Sequence, residues 1–191
     1  GVDFAVWCSY KYLNSGPGGI AAAFVHERHH DKDDMPRFEG WWGTREERRF
    51  KMARTIDRIP TAEVWAVSNP PIFQLAALRS SMELFDEATM PRLREKGDKL
   101  TCYLEWLIQQ NAGDQVDIIT PSYSAEKQVR GSMLSLRFKR DPKALVAAFL
   151  DEHIFADFRE PDIIRVAPMP LYSSFEDVFR FSEIVGKFID S

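Results

Sequence analysis

Cysteine is scarce in this chain: its 191 residues hold only Cys8 and Cys102. Two thiols make no disulfide framework, so a reducing cytoplasm is the expected compartment. Long apolar runs are missing too. None approaches a membrane span, and the first residues lack a signal-peptide layout. There is no excess of positive charge: 25 Lys and Arg against 29 Asp and Glu give a net charge of −4. That leaves no electrostatic footprint for nucleic acid. Internal repeats and low-complexity tracts are absent. So is an initiator methionine: Gly1-Val2-Asp3 runs straight into Phe4-Ala5-Val6-Trp7, as a piece of a longer protein would.

What remains is an ordinary globular composition, 45% hydrophobic and 28% charged, with enough chain for a real core. Aromatics reach 13%, five of them Trp, which suits a site or interface for a flat ligand. Residues 4–8 read as a buried strand and 20–25 as a second apolar segment. The polar stretch 26–39, with Asp31-Lys32-Asp33-Asp34 inside it, reads as a surface loop. Gly40-Trp41-Trp42-Gly43 reads as a tight aromatic turn within an irregular 40–60. Pro70-Pro71 start a helix over about 71–88, because proline is pre-set for a first helical turn. A second helix runs from about Thr89 to Gln110, with Leu93, Leu100, Leu104, Leu107 and Ile108 on one stripe.

Beyond Gly113 the pattern alternates. Val116, Ile118 and Ile119 mark one strand, and Leu134, Leu136 and Phe138 a half-buried one. Asp141-Pro142 is an N-cap with proline at the first helical position, opening a helix to about Glu152. Strands follow near 154–158 and 163–167. Ser173 and Glu176 have capping-box spacing for a last helix, which turns Phe175, Val178, Phe179, Val185 and Phe188 inward. Residues 89–191 thus form a compact α+β unit, and 1–88 look like the end of a separate α/β domain.

Three constellations carry possible chemistry. Lys11 follows an apolar run and is framed by Tyr10 and Tyr12, ahead of Gly16-Pro17-Gly18-Gly19. A lysine at the end of a buried strand is a candidate for imine chemistry, since desolvation makes its amine nucleophilic. A surface lysine opening a loop is the plain alternative. Arg165 lies inside an apolar strand, where its planar fork needs a carboxylate, either a structural Asp or Glu or a substrate. His26-Glu27-Arg28-His29-His30 matches the zinc-hydrolase pattern, in which His26 and His30 share a helix face and Glu27 is the base. Bulky polar Arg28 and His29 and the charged run behind them weaken that reading.

Several stretches then resemble one family in order along the whole chain. They are Trp7-Cys8-Ser9-Tyr10-Lys11-Tyr12-Leu13-Asn14, Gly18-Gly19-Ile20, Gly40-Trp41-Trp42-Gly43, Phe50-Lys51-Met52, Ser68-Asn69-Pro70-Pro71-Ile72 and Ile164-Arg165-Val166-Ala167-Pro168-Met169-Pro170-Leu171-Tyr172. The chain resembles the C-terminal half of kynureninases, pyridoxal-phosphate enzymes of the aspartate-aminotransferase fold (fold type I).

The resemblance implies an α/β fold. Residues 1–88 would be the C-terminal part of the cofactor-binding large domain, and 89–191 a small C-terminal α+β domain. It implies cytoplasmic hydrolysis of the Cβ–Cγ bond of L-kynurenine or 3-hydroxy-L-kynurenine, in tryptophan catabolism and NAD biosynthesis. The products would be anthranilate or 3-hydroxyanthranilate and L-alanine.

Lys11 matches the lysine that binds pyridoxal 5'-phosphate covalently, and Tyr10 the tyrosine on its phosphate that also acts as an acid. Trp41 and Asn69 match residues reaching a cofactor site across a homodimer interface. Arg165 matches the arginine on the substrate α-carboxylate. Ser68-Asn69 looks like the pairing of members that favour 3-hydroxykynurenine. The ring-stacking aromatic, the aspartate on the pyridine nitrogen and further phosphate ligands would precede Gly1, so the isolated chain is expected to be inactive. A cysteine desulfurase-like enzyme is the nearest alternative, and it should lack Trp41-Trp42 and Ser68-Asn69-Pro70-Pro71.

Overall fold

The computed structural model describes residues 1–30, 32–124 and 129–191. Asp31, in the charged run expected to be a surface loop, lies outside them. The chain divides into two compact units, Gly1–Glu87 and Ala88–Ser191.

In the first unit, strands β1 (Phe4–Cys8) and β2 (Ala21–Val25) pair antiparallel, Phe4 opposite Val25 and Cys8 opposite Ala21. Within this chain β1 is not covered as its apolar run suggests: Val6 is 81% exposed, and Phe4 and Trp7 also face solvent. An apolar run reports composition, whereas burial depends on what covers each face, and β1 belongs to a two-stranded sheet. Phe4 does find partners, stacking on His29 at 4.9 Å and meeting Trp65 edge-on. Short 3₁₀ turns at Trp41–Gly43, Glu46–Arg48 and Ala62–Trp65 make up the irregular middle. Helix α1 (Ile72–Ala88) begins right after Pro70-Pro71, as expected.

The second unit runs α2 (Met90–Ala112), β3 (Val116–Ile118), β4 (Leu134–Phe138), α3 (Pro142–Asp151), β5 (Asp157–Arg159), β6 (Ile163–Val166) and α4 (Phe175–Asp190). This is the order read from the sequence. The sheet is antiparallel throughout, in the order β3-β4-β6-β5. Leu134, Leu136 and Phe138 of β4 and Ile164 and Val166 of β6 point to one face. They pack there with Leu100, Leu104, Leu107 and Ile108 of α2, Leu145 and Phe149 of α3, and Val178, Phe181 and Val185 of α4. Each fully buried leucine contributes roughly 2 kcal/mol, so this layer carries the unit's stability. The opposite face carries Ser135, Arg137, Ile163 and Arg165.

Two local expectations shift. α4 is capped by Ser174 rather than Ser173, with Asp177 rather than Glu176 completing the capping box. Ser173 is engaged one turn earlier, its hydroxyl accepting from the Met169 N–H at 3.1 Å. Phe175 and Phe179 lie exposed, while Phe181 and Ser182 take the inward positions. Val178 and Val185 keep the inward positions expected of them, and Phe188 packs against the same cluster. At the start of α2, Thr89 has φ 63 and caps nothing with its side chain, so the helix begins at Met90.

Candidate active site

The expected cofactor lysine lies on a turn that the first unit holds from below. After β1, the Ser9 N–H donates to the Ile20 carbonyl at 3.1 Å and the Ser15 N–H to the Ser9 carbonyl at 3.1 Å. Ser9 and Ser15 are buried beneath the turn with their hydroxyl oxygens 2.7 Å apart. The Ser9 hydroxyl donates to the Ile20 carbonyl, which leaves the Ser15 hydroxyl to donate to Ser9. Gly19 is required beside them, because a β-carbon there would stand 2.2 Å from Ser15 Oγ. From α1, Ser81 donates to the Leu13 carbonyl at 2.5 Å and fixes the far side. Tyr10 and Lys11 project from this frame into solvent, with Lys11 Nζ 5.8 Å from the Tyr10 ring centre. Within this chain Lys11 is thus an exposed amine on a pinned turn.

Trp41 and Ser68-Asn69, far apart in sequence, are brought together. Gly40 packs against Val67, the residue preceding Ser68, with no room between them for a side chain. The turn itself is fixed by Arg49, whose guanidinium lies 4.1 Å from the Trp42 ring and donates to the Trp42 carbonyl at 3.2 Å. Backbone bonds from Ile59 to Gly43 and from Arg45 to Asp57 add a short antiparallel brace. Trp41 stays partly exposed, edge-on to Trp42 at 5.2 Å. It lines a cleft of about 320 Å³ together with Arg48, Arg49 and Lys51. Ser68 and Asn69 are exposed, the Ser68 hydroxyl donating to Asn69 Oδ1 at 3.2 Å.

In the second unit, Arg165 lies on the uncovered face of β6, directly opposite Asp157 of β5. Its Nε donates to Asp157 Oδ2 at 2.6 Å, and Nη2 reaches the same oxygen. The Arg159 Nε shares that oxygen at 3.1 Å. The hydrogen bond from Arg165, then its charge and that of Arg159, hold the Asp157 carboxyl below the usual carboxylate range against a smaller desolvation effect. The structural carboxylate that Arg165 needs is thus present. Sequence reasoning missed Asp157, and also Ser9, Ser15 and Arg49. Their only signal was a polar side chain within a strand or turn, and strand register is invisible without the partner strand.

The zinc-hydrolase reading does not survive. Glu27–His29 is a single 3₁₀ turn, so His26 and His30 never share an α-helical face. His26 Nδ1 accepts from the Arg28 N–H, and His30 Nε2 meets the Val25 carbonyl at 3.1 Å. His29 Nε2 meets Asp3 Oδ1 at 2.7 Å. Among the described residues, no group of three His, Cys, Asp or Glu is placed to hold a metal.

Comparison with known proteins separates fold from family. The chain superposes on a cystine C–S lyase, C-DES, bound to its reaction product cysteine persulfide. The TM-score is 0.75 at 16% identity, covering 97% of this chain and 46% of that one. An alanine–glyoxylate aminotransferase from Nostoc sp. gives a TM-score of 0.62 at 18% identity, covering 98% of this chain and 48% of that one. A NifS-like protein gives 0.65 at 16% identity, covering 99% and 46%. Such likeness shows the fold alone, the fold type I architecture expected from the sequence.

Sequence is more selective. Residues 93–185 match the kynureninase C-terminal domain. The kynureninase of Myxococcus xanthus is 56% identical over 181 residues, covering 95% of this chain and 42% of that enzyme. That of Stenotrophomonas maltophilia is 50% identical over 186 residues, covering 96% and 43%. The kynureninase of Christiangramia forsetii is 46% identical over 189 residues, covering 97% and 44%. The chain thus spans less than half the length of these relatives, and over the part that it spans it belongs to the kynureninase family.

Proposed function

We propose that this chain is the C-terminal part of a kynureninase, with residues 1–88 completing a cofactor-binding domain and 89–191 forming the small domain. The observation that carries the reading is Lys11, an exposed primary amine on a turn fixed by the buried Ser9–Ser15 pair, in a chain 56% identical to such an enzyme. The proposed cofactor is pyridoxal 5'-phosphate. The donor set fits it: an amine that can form an imine, the Tyr10 phenol next to it, and an indole beside an amide at Trp41 and Asn69.

When bound, the cofactor supplies an electron sink for the carbanion left at Cα. The residues divide the remaining work. Lys11 would hold the cofactor covalently and, as a free amine, would accept the Cα proton on Nζ. Tyr10 steadies the phosphate and delivers a proton from Oη to the carbon freed by cleavage. Arg165 orients the substrate through its α-carboxylate, and so fixes the Cα–H bond for abstraction. Ser68 and Asn69 meet the aromatic ring, the pairing that favours a 3-hydroxyl group. The net reaction adds water across the Cβ–Cγ bond of L-kynurenine or 3-hydroxy-L-kynurenine, releasing anthranilate or 3-hydroxyanthranilate and L-alanine. A homodimer in the cytoplasm, with Trp41 and Asn69 serving a site across its interface, completes the reading. Its place is tryptophan catabolism leading to NAD biosynthesis. No described helix is long and apolar enough to cross a membrane.

The test is spectroscopic and catalytic together. The full-length protein is expected to show a visible imine band that borohydride or Lys11→Ala removes, and to release fluorescent anthranilate from L-kynurenine. Stoichiometric zinc with no such band would overturn the assignment.

A further inference from the structure

Arg165 is already occupied on one side, and the side matters. Asp157 and Arg165 are direct cross-strand partners, with Ser135 of β4 opposite Arg165 on the other flank. The Asp157 carboxylate takes the side edge of the guanidinium, made by Nε and Nη2. A guanidinium presents five N–H groups in a rigid plane, and its end edge, made by Nη1 and Nη2, is a separate two-donor face. Among the described residues, nothing accepts from Nη1. The side chain is 35% exposed. Asp157 is steadied in turn by Arg159, two residues along the same strand face.

We propose that Asp157 is a positioning residue for Arg165, holding the guanidinium by its side edge so that its end edge is presented to a substrate α-carboxylate. This rests on the assignment of Arg165 as the carboxylate-binding residue. A merely competing carboxylate would predict the opposite sign, because its removal would free the arginine and tighten substrate binding. Positioning outweighs repulsion here. Asp157 is 45% exposed, so solvent screens its effect on a second anion, whereas an unheld arginine regains its rotamers.

The experiment uses the full-length enzyme and two probes, L-alanine and L-alaninamide, which differ only at the carboxylate. Asp157→Asn is expected to raise KM about tenfold with kcat within about twofold, the scale of a lost contact between coupled neighbours. It should weaken L-alanine binding by a similar factor and leave L-alaninamide binding unchanged, which also shows that the site remains folded. In an Arg165→Ala background, Asp157→Asn should have no further effect. If Arg165→Ala weakens L-alanine binding but Asp157→Asn leaves it unchanged or tightens it, the positioning role is overturned and the Arg165 assignment stands. If Arg165→Ala itself leaves L-alanine binding unchanged, the assignment on which the proposal rests has failed.

Discussion

Gly40 lies so close to Val67 that a β-carbon at position 40 would stand 1.9 Å from the Val67 carbonyl oxygen. The backbone of Gly40 is extended (φ −143, ψ 169), so alanine is excluded by the neighbour and not by the dihedral angles. Gly40→Ala is expected to cost about 1–3 kcal/mol and to shift tryptophan fluorescence as the Trp41–Trp42 turn moves off residues 67–69. Gly131→Ala, where no atom of the described residues lies within 4 Å, is the control and should change the thermal midpoint little. Equal midpoints for the two variants would contradict the close approach.

The second unit contains a buried ion pair between Glu105 of α2 and Arg130, with N and O 2.5 Å apart. Ser122 also donates to Glu105 at 2.5 Å, and Arg130 donates to the Pro121 carbonyl at 3.3 Å. These bonds tie Pro121, Ser122 and Arg130 to Glu105 of the helix. Arg130→Met leaves a buried carboxylate without its cation and is expected to cost about 3–5 kcal/mol in denaturant unfolding.

The same pair sets a pH dependence. Burial pushes the Glu105 carboxyl up, but the bonds from Ser122 and Arg130 and the arginine charge win and hold it below its ordinary value. A carboxyl depressed in the folded state adds stability that is complete above the unfolded pKa, about 4.3 for glutamate. That stability is lost as pH falls through the lower folded value. Glu105→Gln is thus expected to flatten the acid side of the stability curve below about pH 4. Thermal midpoints measured across pH 2–6 check this, and an unchanged acid slope would count against the ion pair.

Ser174 and Asp177 form a reciprocal capping box at α4, the Asp177 N–H donating to Ser174 Oγ at 3.1 Å and the Ser174 N–H to Asp177 Oδ2 at 2.7 Å. Ser174→Ala is expected to lower stability by about 1 kcal/mol, read as a drop in the calorimetric midpoint. No loss on Ser174→Ala, with a full loss on Ser173→Ala, would return the cap to the position expected from the sequence.

Much of the second unit was legible because its signals are local. The leucine stripe of α2 repeats at the helical period, β4 alternates at the strand period, and Asp141-Pro142 marks a helix start by its own chemistry. Asp141 does accept from the Lys143 and Ala144 N–H groups. Errors arose where two readings were locally equal. Ser173 and Ser174 both offer a hydroxyl, each followed three residues later by an acid. The choice between them depends on the turn at Met169, whose N–H claims Ser173.

The candidate site divides in the same way. Residues 4–8 were legible as a strand but not as an exposed one, because coverage comes from other elements. By its own order of residues, the sequence determined the family, the element order of the second unit, and the candidates Lys11, Tyr10, Trp41, Ser68, Asn69 and Arg165. Only the tertiary structure decided that Lys11 stands on a serine-pinned turn, that Gly40 brings Trp41 to Ser68-Asn69, and that Asp157 grips one edge of Arg165. Those facts depend on register and close approach between distant segments, which no local pattern of side chains encodes.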